Sequence, residues 1–166
     1  MTFADIVSIA PFEWQAVFTS LACGGIIGLE RQLRGKPVGI RTSALIVLGT
    51  YIFIAASMLV STTATDPSRI IGQVITGIGF LGAGVMLARD GMVWGVTSAA
   101  TIWSLASIGV CIAIGYDLIA IKLSLVVVFV LVGVDTMEDY SQTLTRGVHK
   151  KYQDWFEKAR VDDKQE

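Results

Sequence analysis

Ala44–Val60 reads ALIVLGTYIFIAASMLV, seventeen residues without a single charged side chain. A helix crossing the hydrocarbon core needs about 20 predominantly apolar residues, with about 17 still workable. This stretch therefore predicts a transmembrane helix, and its neighbours extend the pattern. WQAVFTSLACGGIIGL (Trp14–Leu29) is bracketed by Glu13 and Glu30, and Ile70–Ala88, Val96–Gly115 and Leu118–Val134 form three more low-charge runs. The spans are predicted at about 14–29, 44–60, 70–88, 96–115 and 118–134, an all-α polytopic bundle of about five transmembrane helices.

The 166-residue composition agrees, with 53% apolar residues, 16% charged residues and a mean hydropathy of +0.64. One domain of this size has too little interior to hide that much apolar surface from water. Charge is displaced to the ends of the runs and to the C-terminal stretch 135–166, which holds about half of all Asp, Glu, Lys and Arg residues. The net charge of −1 lacks the concentrated basic surface that nucleic acid requires, so that partner class is excluded. No basic region precedes the first apolar run, so that run is expected to remain as a span and not to serve as a cleaved signal.

The connections read as turns. Glu30–Ser43 (ERQLRGKPVGIRTS) carries four basic residues and breaks helix with Gly35, Pro37 and Gly39, and Asp66-Pro67-Ser68 supplies turn and cap chemistry before the third span. Arg89–Gly95 (RDGMVWG) is read as a short link. Residues 1–11 are predicted as an interfacial helix ahead of the 12–134 membrane domain. In 135–166, Val148, Tyr152, Trp155 and Phe156 fall at helical spacing and predict an amphipathic cytoplasmic helix. Arg31, Arg34, Lys36, Arg41, Arg89 and the six cations of the tail share one face, against Arg69 and Lys122 on the other. Lys and Arg are retained on the cytoplasmic side, so the N-terminus is predicted outside and the tail inside.

Gly77, Gly79 and Gly82 satisfy a GxGxxG pattern, but the dinucleotide fingerprint requires a strand followed by a turn and a helix, whereas these glycines lie inside a span. In a membrane, small residues let backbones approach. Gly72, Gly77, Gly79, Gly82 and Gly84 therefore predict a central, tightly packed third helix, with a broken or re-entrant third span as the alternative. Gly24 and Gly28 form a second small-residue face, for which a homodimer is the preferred use. Cys23 and Cys111 read as isolated apolar thiols, Trp94 as an interface anchor, Trp103 as packing, and His149 as a solvated surface residue. A lone histidine, separated thiols and no acid pair within a segment give no nucleophile and base, so the protein is read as a non-enzyme.

Three blocks, GLERQLRGKPVGIRTSALIVLG (Gly28–Gly49), DPSRIIGQVITGIGFLGAG (Asp66–Gly84) and GVTSAATIWSLASIGVCIAIG (Gly95–Gly115), resemble the MgtC/SapB family of bacterial inner-membrane proteins. The resemblance implies a five-helix module in the bacterial plasma membrane, linked to magnesium limitation, acid or ionic stress and survival in host cells. It implies regulation through a membrane partner, the F-type ATP synthase first, and an older reading of the family implies magnesium transport. Virulence-associated members resemble this chain up to the fifth helix but carry a folded ACT-like domain after it, where about thirty residues stand here.

Chemistry weighs on the transport reading. Mg2+ demands oxygen ligands, usually with carboxylates, yet Glu30, Asp66, Asp90 and Asp117 all fall at span ends. No cofactor is therefore assigned, Mg2+ being the one ion to consider. Two polar clusters are candidate sites. Glu30, Arg31, Arg41, Thr42, Ser43, Arg89, Asp90, Thr97 and Ser98 are expected at the cytoplasmic rim, where lipid phosphates, an ion or a partner compete as ligands. Asp66, Arg69 and Gln73 are expected on the outer face, with Asp66 as a helix cap and cation or pH sensing as the alternative.

Overall fold

The structure, a computed structural model, describes residues 7–61, 66–89 and 92–140. It contains α1 (Trp14–Leu33), α2 (Ile40–Val60), α3 (Pro67–Gly84), a hairpin of β1 (Leu87–Arg89) and β2 (Met92–Trp94), α4 (Val96–Ala113) and α5 (Asp117–Tyr140). α2 and α4 are long and apolar enough to cross a membrane. The chain divides into two units, residues 1–128 and 129–166. The first holds α1 to α4 and the start of α5, and the described part of the second is the remainder of α5.

Within the first unit the helices alternate in direction. Gly24 lies against Ala44 and Gly28 against Ile40, so α1 and α2 run antiparallel. Gly109 of α4 packs on Val47 and Thr50 of α2 while Ser98 meets Arg31 at the other end, which makes α4 parallel to α2. Gly82 of α3 faces Ala99 of α4, an antiparallel pair. Gln15 Nε2 approaches Asp117 Oδ2 at 3.4 Å and Ser124 faces Cys23, which sets the start of α5 beside α1 and in the same direction. α2 is the hub, packed on α1, on α4 and more sparingly on α3. The core is Ile27, Val47, Ile54, Ile102, Leu105 and Ile112, interleaved with buried Ser20, Ser43, Thr50, Ser98, Thr101 and Ser124. Ser20 and Thr101 return their hydroxyl protons to the carbonyls of Ala16 and Thr97, which satisfies them inside an apolar interior.

Helix limits follow capping chemistry more closely than hydropathy. α1 continues past Leu29 through Glu30 and Arg31 and stops in a Schellman motif. Gly35 takes φ +63°, its N–H donates to Gln32 O, and Lys36 N–H donates to Arg31 O. The same closure ends α4, with Gly115 at φ +86° donating to Ile112 O and Tyr116 donating to Cys111 O. α2 starts at Ile40, ahead of the predicted Ala44, and α5 continues past the predicted Val134 to Tyr140.

Several expectations are corrected. The third helix ends at Gly84, not Ala88, and residues predicted as span and link instead pair as a hairpin, Leu87 opposite Trp94 and Arg89 opposite Met92. Strand-forming Val93 and Trp94 on one side of Asp90-Gly91, a dipeptide suited to tight hairpins, account for it. α3 is continuous from Pro67 to Gly84, with no break in the helix. Nor is it the tightly packed centre: a Cβ at Gly72, Gly77, Gly79 or Gly84 would meet nothing within 4 Å, and one at Gly82 would make only an ordinary contact at 3.7 Å. Close approach occurs at Gly24, Gly28 and Gly109 instead. Trp103 is 57% exposed and does not pack inside the chain. Cys23 is buried, Cys111 is half-buried, and both are free. The predicted interfacial helix lies partly outside the described residues, as does the predicted tail of 135–166, of which residues 135–140 continue α5; residues 8–13 are non-helical.

Candidate functional site

The polar groups singled out in the sequence gather at the end of the array where α1 finishes and α2 and α4 begin. Arg31 lies in the last turn of α1, where a cation complements the helix dipole. It is only 3% exposed, and its terminal Nη2 donates a 2.6 Å hydrogen bond to Ser98 Oγ in the first turn of α4. A buried guanidinium bonded this way ties two helix ends together, and a hydrogen bond to a charged group contributes about 1.5–3 kcal/mol. Its Nε has no hydrogen-bond partner among the described residues.

Glu30 is also buried, and Arg34 Nε stands 2.9 Å from its Oε1 across one helical turn. The alignment falls short of a hydrogen bond, and Oε2 likewise accepts none among the described residues. Ser43 is fully buried and donates to Val38 O at 3.0 Å, which locks the Arg34–Gly39 connection onto α2. Val38 itself is buried with φ +68°, a conformation that a β-branched residue adopts only under strain of about 1–3 kcal/mol. Gln32 completes the connection: its Oε1 accepts the Ile40 N–H at 3.3 Å and so caps α2, whose N-cap, Gly39, has no side chain to do so.

Four members of the predicted rim cluster, Glu30, Arg31, Ser43 and Ser98, thus lie buried at the meeting of three helix ends. Arg41, Thr42 and Thr97 are exposed on the first turns of α2 and α4. The Arg89 side chain and Asp90 lie outside the described residues. Sequence reasoning missed Gln32, Val38 and Gly95 as members of this end. Gly95 takes φ +87°, and a Cβ there would run into Val85 O. Its position between a strand-forming run and an apolar helix was the available signal.

The outer-face trio does not stay together. Asp66 caps α3, its Oδ1 accepting the Ser68 N–H at 2.9 Å with Pro67 in the first helical position. The hydrogen bonds from Ser68 hold the exposed Asp66 carboxyl below the usual carboxylate range. Arg69 is exposed beside it, whereas Gln73 belongs to a groove between α2 and α3 of about 640 Å3. Thr42, Leu45, Gly49 and Phe53 line one wall, and Gln73, Gly77, Ile78 and Leu81 the other. Among the described residues no three His, Cys, Asp or Glu side chains come together as metal ligands.

The sequence profile of the MgtC family matches residues 17–140. The chain belongs to the MgtC family. It is 35% identical over 173 residues to "Putative magnesium transporter YhiD" of Escherichia coli (strain K12), covering 92% of the chain and 77% of that protein. It is 45% identical over 100 residues to "Protein MgtC" of Salmonella typhimurium (strain LT2), covering 60% of the chain and 42% of MgtC. An uncharacterized protein of Haemophilus influenzae is 37% identical over 143 residues, covering 81% of the chain and 57% of its own length. No solved structure matches the chain. Its MgtC-family membership and two apolar helices identify it as a membrane protein.

Proposed function

We propose that this MgtC-family chain is a non-enzymatic, five-span protein of the bacterial inner membrane, with its N-terminus outside and its tail in the cytoplasm. In this reading it regulates a membrane-protein partner under magnesium limitation or acid and ionic stress. The F-type ATP synthase is the partner that the family resemblance puts first. The observation that carries the reading is the build of the Arg31 end. Arg31 and Ser98 tie α1 to α4, Ser43 ties the connecting loop to α2, and Glu30 is buried in the same end of α1; the exposed cations Lys36 and Arg41 ride on that base. Preorganised surface cations suit recognition of an anionic partner surface, because little side-chain and loop freedom is lost on binding.

The second reading is Mg2+ transport, favoured by the name of the YhiD relative. Against it, Glu30, Asp66 and Asp117 stand at helix ends, in the last turn of α1, at the cap of α3 and at the first residue of α5. A dehydrated divalent ion would find no carboxylate along the middle of a span. Two measurements separate the readings. The full chain in liposomes is expected to pass no Mg2+ down an imposed gradient, and a sustained flux would replace regulation with transport. Copurification from native membranes is expected to bring down a membrane protein with wild type and less of it with Arg41→Ala. Equal recovery with both would remove the rim as the contact.

A further inference from the structure

Among the described residues neither helix nor loop closes the groove between α2 and α3, and its position says what should fill it. It runs from Thr42 and Leu81 at the Arg31 end to Phe53 and Gln73. From Thr42 to Phe53 the helix rises about 16 Å, at roughly 1.5 Å per residue. That is about half of the roughly 30 Å hydrocarbon core of a bilayer. The groove therefore has the depth of one leaflet, whereas a partner's transmembrane helix would need a face running the full thickness. Its walls are apolar, with Phe53 69% exposed and Leu45 62% exposed. At the mouth Thr42 lines the opening, and exposed Arg41 is its chain neighbour in the first turn of α2. Gln73 marks the inner limit.

We infer that this groove is a binding site for one anionic phospholipid of the cytoplasmic leaflet. Its acyl chain lies between α2 and α3, and its phosphate meets the Arg41 guanidinium at the mouth. The fit rests on charge complementarity at the rim and on the match of depth to a leaflet. At about 640 Å3 the groove falls in the size range of ligand pockets, roughly 300–1,000 Å3. The glycines in its walls have a reason under this reading. Among the described residues a Cβ at Gly49 or Gly77 would meet no atom of another helix within 4 Å, so these positions keep the groove open and do not serve helix packing. The inference rests on the membrane-spanning reading proposed above.

The test is native mass spectrometry of the full chain in mild detergent, titrated with phosphatidylglycerol or with phosphatidylcholine of the same acyl chains. Wild type is expected to hold one phosphatidylglycerol, about fivefold more tightly than phosphatidylcholine, the preference one basic side chain gives at an anionic surface. Arg41→Gln is expected to abolish the preference without loss of fold, because Arg41 is exposed. Gly77→Leu and, on the opposite wall, Gly49→Leu are expected to weaken both lipids at least about tenfold, with circular dichroism reporting that each variant keeps its helices. Should either filled variant lose its fold, the other and Arg41→Gln decide the question. Equal binding of the two lipids by wild type overturns the inference, as does undiminished lipid binding by a folded, filled variant. So does release of a copurifying polypeptide, in place of lipid, when the groove is filled. A chain that stays monomeric in buffer without detergent defeats the membrane-spanning reading itself, whereas a detergent-requiring chain with no lipid preference defeats this inference alone.

Discussion

Replacing Gly24 by alanine tests the packing of α1 on α2 at its tightest point. A Cβ built there lies 2.5 Å from Ala44 Cα and 2.7 Å from both Ala44 N and Ser43 O. These are backbone atoms that no rotamer change can move, so the helices must part by about 1 Å to restore van der Waals contact, an overpacking cost of about 1–3 kcal/mol. Alanine also gains helix propensity over glycine, about 1 kcal/mol, which masks part of the loss. Gly25 supplies the correction, since it sits on the same helix and its Cβ would meet nothing within 4 Å. The stability difference between Gly24→Ala and Gly25→Ala is therefore expected to be about 1–3 kcal/mol, read by equilibrium unfolding in mixed detergent micelles followed by circular dichroism. Gly28, whose Cβ would lie 2.5 Å from Ile40 Cα, acts on the same helix separation. The double variant should thus cost less than the sum of the two singles. If Gly24→Ala and Gly25→Ala unfold within about 0.5 kcal/mol of each other, the close approach of α1 to α2 is refuted.

The other predictions concern the two ends of the array. A double-mutant cycle of Arg31→Met with Ser98→Ala is expected to show a coupling of about 1.5–3 kcal/mol in the same unfolding assay, the range for a hydrogen bond to a charged group; no coupling would mean the two side chains do not meet. Gly95→Ala, which combines φ +87° with a collision at Val85 O, should destabilise the chain by more than about 1 kcal/mol. A neutral result in that assay would refute the closure of the hairpin onto α4. The Asp66 carboxyl is held below the usual range in the folded state, so its cap is fully present above the unfolded carboxylate value and is lost as pH falls through the lowered one. Hydrogen exchange at the start of α3, corrected for its intrinsic pH dependence, should therefore lose protection at that acid limb in wild type and lack the step in Asp66→Ala. An identical profile in the two would remove the cap.

Periodicity and charge placement alone located the five apolar runs, because excluding charge from a hydrocarbon-length stretch is a property of the chain itself. Asp66 as a cap was legible for the same local reason, since Asp-Pro-Ser carries its acceptor, its fixed φ and its donor within three residues. The gathering of Glu30, Arg31, Ser43 and Ser98 was anticipated as a cluster. Which of them would be buried was not, because burial depends on how far α1 runs before Gly35 closes it. Glycine density misdirected the choice of central helix. In sequence a glycine under a neighbouring backbone looks the same as one facing open space, and only the tertiary structure showed that Gly24, Gly28 and Gly109 have backbone or side-chain atoms of another helix against them while Gly72, Gly77, Gly79 and Gly84 have none. The hairpin at 87–94 escaped for a related reason: pairing is an energy between two strands, and a hydropathy run measures one strand at a time. The sequence by itself therefore determined which segments are apolar and where their charges stop. Only the packed chain decided which helix is the hub, which polar groups it buries and which groove it leaves open, because those depend on distances between segments far apart along the backbone.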